Sequence, residues 1–199
     1  MRYCFSRFLF CILALWLASV VPVRADLEAG KRAYEQADYA TALKELTPLA
    51  EQGNADAQVL LGLMYLRGLG VSKDPALALK WYKAAADQGD AEGQSHLGSM
   101  YFMGLGVAKD TNEALKLWKL SADQGNGGAQ VSLGLAYRSS LHVPRDLVQS
   151  YMWLHLAALG GDSLAVRQRD DVQKFMTTDQ IAKARALAAA WKPTGAQKE

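Results

Sequence analysis

The chain has two cysteines in 199 residues, Cys4 and Cys11, and both lie in its first eleven positions. A disulfide framework or a thiolate-ligated metal is thereby excluded for everything downstream. There are five prolines and three histidines, and no Gly-x-Ser-x-Gly sequence. His96, His142 and His155 share no metal-ligand spacing, with no His-x-x-x-His or Glu-x-x-His pair. Charge of one sign is also missing, since 22 Lys and Arg face 20 Asp and Glu. A near-neutral chain has no electrostatic reason to seek nucleic acid or anionic lipid. No apolar run after the first 25 residues is long enough to span a bilayer.

That first segment carries its own pattern. Arg2 and Arg7 precede the apolar run Phe8 to Val21, and Val23-Arg24-Ala25 offers a cleavage site. The order reads as a secretory signal over residues 1–25, cut near Ala25. The expected location is periplasmic or secreted. A membrane contact is expected only if the signal is kept as an anchor. Once cut after Ala25, the mature chain would be cysteine-free and held by packing alone.

What is abundant is Ala, Leu and repetition. Residues 55–90 align without a gap on 91–126, with about 20 of 36 positions identical, which chance does not produce at a fixed period. A more worn copy occupies 127–162. Gln58, Leu61, Gly62 and Tyr65 recur as Gln94, Leu97, Gly98 and Tyr101, and as Gln130, Leu133, Gly134 and Tyr137. Offsets of three, four and seven place them on one face of a helix. A mid-helix Gly costs about 1 kcal/mol against Ala, so a neighbouring helix is expected to approach closely there.

A Gly-Leu-Gly-Val turn follows at Gly68 to Val71 and at Gly104 to Val107, with positive φ expected at one or both glycines. Asp74 and Asp110 stand at N-cap positions, Pro75 suits the first helical turn, and Glu113 completes a capping-box spacing. The second helices carry Trp81, Tyr82, Trp118 and Trp153, suited to the seams between repeats. Gly89 and Gly125 end them.

The flanks read as helix pairs too. Residues 26–54 form an N-terminal cap of tetratricopeptide type. Residues 163–192 form a closing pair with a capping box at Thr177 to Gln180 and a buried stripe of Ile181, Ala184, Leu187, Ala188 and Trp191. Residues 193–199 are expected to be a disordered tail. One such pair cannot bury its apolar stripe alone, whereas a stack can.

The period and the pattern A-x-x-Q-x-x-L-G-x-x-Y-x-x-G-x-G-V-x-x-D-x-x-x-A resemble the Sel-one-like repeat family, relatives of the tetratricopeptide repeats. The resemblance implies an all-α, right-handed superhelical solenoid of antiparallel helix pairs, with a concave face lined by first helices. It also implies adaptor or scaffold work, in bacterial members often in the envelope. Members with a cysteine pair in each repeat are linked to β-lactam chemistry, which does not carry over to a repeat region without cysteine. The third copy departs from the family, since Ser140 and His142 replace the turn glycines.

Positions that vary between copies are free to serve a ligand, while those that repeat serve the stack. The expected open side comprises Asp56, Leu60, Leu63, Arg67, Glu92, His96, Ser99, Met103, Gly128, Ser132, Leu135 and Ser139; the candidate partner-binding residues among them are Leu60, Leu63, Arg67, His96, Ser99, Met103, Ser132 and Leu135, with Ser140 and His142 as a variant turn. Exposed Leu and Met beside Arg and His suit a peptide or helix partner. No catalytic residue, cofactor or metal site is expected. Asp170-Asp171 reads as a solvated face, the glycine turns lack the Lys-Ser/Thr of a phosphate loop, and the tryptophans read as core. The alternative is a binder or hydrolase of cell-wall glycan or peptide working in the same groove.

Overall fold

The computed structural model describes residues 25–139 and 144–194. Ten α-helices and no strand occur among the described residues: α1 (Leu27–Glu35), α2 (Tyr39–Glu51), α3 (Ala55–Arg67), α4 (Pro75–Asp87), α5 (Ala91–Met103), α6 (Thr111–Asp123), α7 (Gly127–Arg138), α8 (Leu147–Leu159), α9 (Ser163–Gln173) and α10 (Thr178–Ala190). The expected signal, the variant turn residues Ser140 and His142, and the tail from residue 195 lie outside the described residues.

Short polar side chains start these helices. Each of the ten has an Asp, Asn or Thr N-cap whose side chain accepts a bond from a first-turn N–H. A cap of this kind contributes about 1 kcal/mol. The reciprocal capping box forms at Thr177 and Gln180. At α6, Asp110 accepts from the Glu113 N–H.

The glycine turns are left-handed at both glycines, with φ of 74° at Gly68 and 69° at Gly70, and 71° and 69° at Gly104 and Gly106. Gly70 and Gly106 have a second constraint. A Cβ on Gly106 would stand 2.6 Å from the Pro75 carbonyl oxygen, and one on Gly70 would stand 2.5 Å from the Tyr39 Cβ. Each turn therefore rests on the start of the second helix one pair earlier.

The mid-helix glycines answer to close packing. A Cβ on Gly62 would lie 2.6 Å from the Tyr82 ring, on Gly98 2.8 Å from Trp118, and on Gly134 2.5 Å from Leu154. Tyr82, Trp118 and Leu154 occupy the same place in successive repeats and are buried. Fully burying a side chain of this size is worth about 2–3 kcal/mol, enough to offset the glycine.

Buried glutamines tie one pair to the next. Gln58 donates to the Ala50 carbonyl at 2.9 Å and accepts from the Gln88 amide at 2.8 Å. Gln94 accepts from Gln124 of its own pair at 2.9 Å, and the same Gln124 amide donates to the Gly89 carbonyl of the pair before at 3.0 Å. Four apolar clusters follow one another along the chain, each joining neighbouring helix pairs. That is the core of a helical-repeat solenoid.

The closing segment differs from the expected pair. α10 packs on α8, not along α9. The reason is composition: α9 buries only Ala165 and Val172, while α8 buries Tyr151, Met152, Trp153 and Leu154. Ala184 and Ala188 are buried in that contact, and Trp191 meets Trp153 edge-on at 6.4 Å. Leu187, expected in the stripe, is 37% exposed, because the stripe facing α8 is narrower than the one drawn on an α9 partner. The tail begins ordered, since the Thr194 N–H donates to the Asp123 carbonyl at 2.8 Å.

Candidate functional site

The first helices share one face of the stack. α3 touches α5 directly, while α5 and α7 stand further apart. Between α5 and α7 opens a groove with a cavity volume of about 250 Å³. Ser99, Phe102 and Met103 line it from α5, and Ser132, Leu135, Ala136 and Ser139 from α7 and its C-cap. Trp118 of α6 forms the floor.

The lining is more apolar than its serines suggest. The Ser99 hydroxyl donates to the Ser95 carbonyl at 3.0 Å, and the Ser132 hydroxyl to the Gly128 carbonyl at 3.0 Å. Both hydroxyls have a partner on their own helix, a common arrangement for Ser. The Trp118 indole N–H donates to the Ser95 carbonyl at 3.2 Å, leaving its ring as the surface offered to the groove. Phe102 packs on that ring at 5.3 Å. Met103, 56% exposed, forms the lip.

Four of the eight partner-binding candidates on the open side therefore come together here: Ser99, Met103, Ser132 and Leu135. The others do not join them. His96 turns inward and stacks on Tyr82, with ring centroids 4.8 Å apart and planes 21° from parallel. Burial, and then the Arg67 charge, hold its pKa below the ordinary value. Arg67 is exposed at the last turn of α3. Leu63 is half-buried against the α3–α6 core.

Leu60 lines a second hollow, of about 450 Å³, with Lys31, Tyr34, Glu35, Asp56 and Glu92. Lys31 pairs with Asp56 at 2.6 Å and with Glu28 at 3.8 Å. The bond to Asp56 raises the Lys31 pKa, and Asp56, Glu28 and Glu92 add their fields against a desolvation penalty. Neither Glu35 nor Glu92 has an ion-pair partner among the described residues.

Ser139 was expected on the open side, whereas Phe102, Trp118 and Ala136 were not among the expected site residues. A signal for the groove exists in the repeat alignment. Leu60, His96 and Ser132 occupy one position in successive repeats. His96 covers Tyr82. Ser132 at the matching place is smaller, and a groove bordered by the largely buried Trp118 lies there.

A third hollow, of about 710 Å³, lies at the α8–α9 turn and is bordered by Gln130, Leu159, Gly160 and Trp191. Gly160 stands where Gln88 and Gln124 stand in the other copies, so no amide reaches across to Gln130 from that place. Among the described residues, no cluster of three or more His, Cys, Asp or Glu is placed to hold a metal, and no helix is long and apolar enough to cross a membrane.

Antiparallel helix pairs stacked at a 36-residue period define a helical-repeat solenoid. The Sel1 repeat family model matches residues 55–90, 91–126 and 128–162, and the chain belongs to that family. It is similar to a Sel1 repeat protein from Oxalobacter formigenes, with 30% identity over 78% of this chain and 63% of that one, and a TM-score of 0.69. It is also similar to a protective antigen of uropathogenic Escherichia coli strains that displays an SLR fold, with 30% identity over 76% of this chain and 40% of that one, and a TM-score of 0.50. The chain spans less than two thirds of the length of either. No curated protein matches it in sequence. Sel1 repeats generally mediate protein–protein interaction, and their scaffold is typically non-catalytic.

Proposed function

We propose that this protein is an exported, non-enzymatic adaptor that holds a polypeptide partner on its first-helix face, with the groove over Trp118 as its anchor point. The observation that carries the reading is the groove itself. It is an apolar slot bordered by an indole ring, with the Ser99 and Ser132 hydroxyls bonded to their own helices and the small Ser132 at a position that His96 fills in the preceding repeat. A site of this kind takes one or two bulky side chains of a partner segment, the usual way a groove anchors a peptide or helix. The N-terminal pattern of Arg2, Arg7 and the apolar run supports action in the periplasm or outside the cell.

The test is affinity capture from the native envelope, with the wild-type chain as one bait and Met103→Asp with Leu135→Asp as the other. Expected is a protein held by the first and lost by the second, with no turnover of cell-wall material. Equal capture by both would move the site away from the groove. Retention of labelled glycan fragments without any protein would replace the adaptor by a cell-wall binder. N-terminal sequencing of the exported protein, expected to begin at Asp26, checks the location.

A further inference from the structure

The groove and the acidic hollow lie on the same face. On α5, Glu92, Ser99 and Met103 are offset by seven and then four residues, which keeps them in one row. The rise of a helix puts Glu92 about 10 Å from Ser99 and about 16 Å from Met103 along that row. Around Glu92 stand Asp56 and Glu35, with Lys31 as the one cation in the hollow, already paired with Asp56.

Helix stability accounts for part of this charge. Asp56 and Glu92 lie in the first turns of α3 and α5, where the helix dipole favours acids. Glu35 has the opposite placement. It is the last residue of α1, where the dipole disfavours an acid, and it still borders the hollow. Two carboxylates with no ion-pair partner among the described residues, Glu35 and Glu92, therefore stand at one end of the row that leads to the groove.

We infer that the partner segment is basic as well as apolar, seating a bulky apolar side chain in the groove beside Trp118 and placing Lys or Arg against Glu92, about 10–16 Å away along α5, in the hollow that Glu35 also lines. That span is about three to five residues of extended chain, or seven to eleven of helix. The inference rests on the groove being the binding site, and it adds the charge and spacing of what binds there.

The test selects displayed random peptides of about 15 residues, long enough for either span, on the immobilised full chain. Enriched peptides are then measured by fluorescence anisotropy against the wild type, Met103→Asp, and the pair Glu35→Gln with Glu92→Gln. Expected are sequences that pair an apolar anchor with Lys or Arg at one of those spacings. Their binding should fall about tenfold or more on Met103→Asp. It should fall about fivefold or more on the double glutamine variant and weaken with added salt. Enriched peptides that lose binding to Met103→Asp but show no basic bias, and no response to the glutamine changes, would overturn this inference and leave the groove in place. Peptides that bind Met103→Asp as well as the wild type, or no enrichment at all, would overturn the groove reading and this inference with it. Circular dichroism of each variant separates lost binding from lost folding.

Discussion

Two neighbouring seams of this stack are built from the same parts and end differently. In the seam of α3, α4 and α5, Gly62 receives the Tyr82 ring, Gln58 and Gln88 bond across it, and His96 covers the tyrosine. In the seam of α5, α6 and α7, Gly98 receives Trp118 and Gln94 bonds to Gln124, but Ser132 covers nothing and a groove remains. The frame residues set the spacing of the helices, and one frame-independent position decides whether the surface is filled. The filled seam carries a cost, since the Tyr82 hydroxyl is buried with no hydrogen-bond partner among the described residues and its pKa is pushed up by desolvation. Trp118 in the open seam has its N–H bonded.

The comparison breaks most completely if the shared frame is altered. Gly98→Ala would put a Cβ 2.8 Å from the Trp118 ring and 3.1 Å from the Ala114 carbonyl oxygen, so helices α5 and α6 must part. A loss of about 2–3 kcal/mol is expected in urea unfolding, and Gly62→Ala should match it. Gly127→Ala is the control. Nothing lies within 4 Å of its would-be Cβ, so at this first position of α7 Ala should be neutral or stabilise by up to about 0.5 kcal/mol. Equal effects at Gly98 and Gly127 would mean that the close approach does not explain the repeated glycine.

The Gln94–Gln124 amide pair within its repeat comes next in size. Gln94→Ala leaves the Gln124 amide without its side-chain acceptor in a part-buried site, for an expected loss of about 1–2 kcal/mol. The third copy offers the reverse experiment. Gly160→Gln restores the residue of the other copies beside Gln130, and a gain under about 1 kcal/mol is expected. A double-mutant cycle between Gln94 and Gln124 should show coupling that Gln130 and Gly160 lack.

Much of this frame was legible in the chain before any coordinates. Repeated glycines, N-cap aspartates and aromatics at fixed spacing are local signals, and their structural roles follow from helix geometry. The site was legible by halves. Ser99, Met103, Ser132 and Leu135 meet because they sit at matching positions of adjacent first helices. His96 shares their register, but its flat ring finds the Tyr82 face, and stacking turned it inward. Trp118 serves the core and the groove at once, which repetition alone does not reveal. The seat of α10 on α8 was illegible because it depends on which of two distant helices offers more apolar surface.

Exchanging the position that separates the two seams sharpens the comparison directly. Ser132→His should place an imidazole over Trp118 as His96 lies over Tyr82, closing the groove with a stability change within about 1 kcal/mol. His96→Ser should open a matching slot over Tyr82 and cost about 1 kcal/mol of stacking. Peptides selected on the wild type should fail to bind Ser132→His. If they bind it unchanged, the groove is not where they sit.

The smallest expected effect is the pH response that only the filled seam has through His96. Burial and the Arg67 charge lower its pKa in the folded protein beneath the ordinary 6.5. Below 6.5 the unfolded chain takes up a proton that the folded chain resists. Acidification therefore removes stability, beginning as pH falls through 6.5 and ceasing once it passes the folded value. Above 6.5 the residue contributes no slope. His155 behaves with the same sign, its pKa lowered by burial and then by Arg169 and Arg185, so part of the slope should survive any change at His96. His96→Phe keeps an aromatic ring over Tyr82 and removes the titration. Urea midpoints of this variant should decline less steeply than the wild type as pH drops below 6.5, and the two curves should run parallel above it. Ser132→His would then add a second imidazole, over Trp118. If that new histidine is desolvated as His96 is, the acid-side slope should steepen; if it is not, the two seams differ in burial as well as in the residue that covers them.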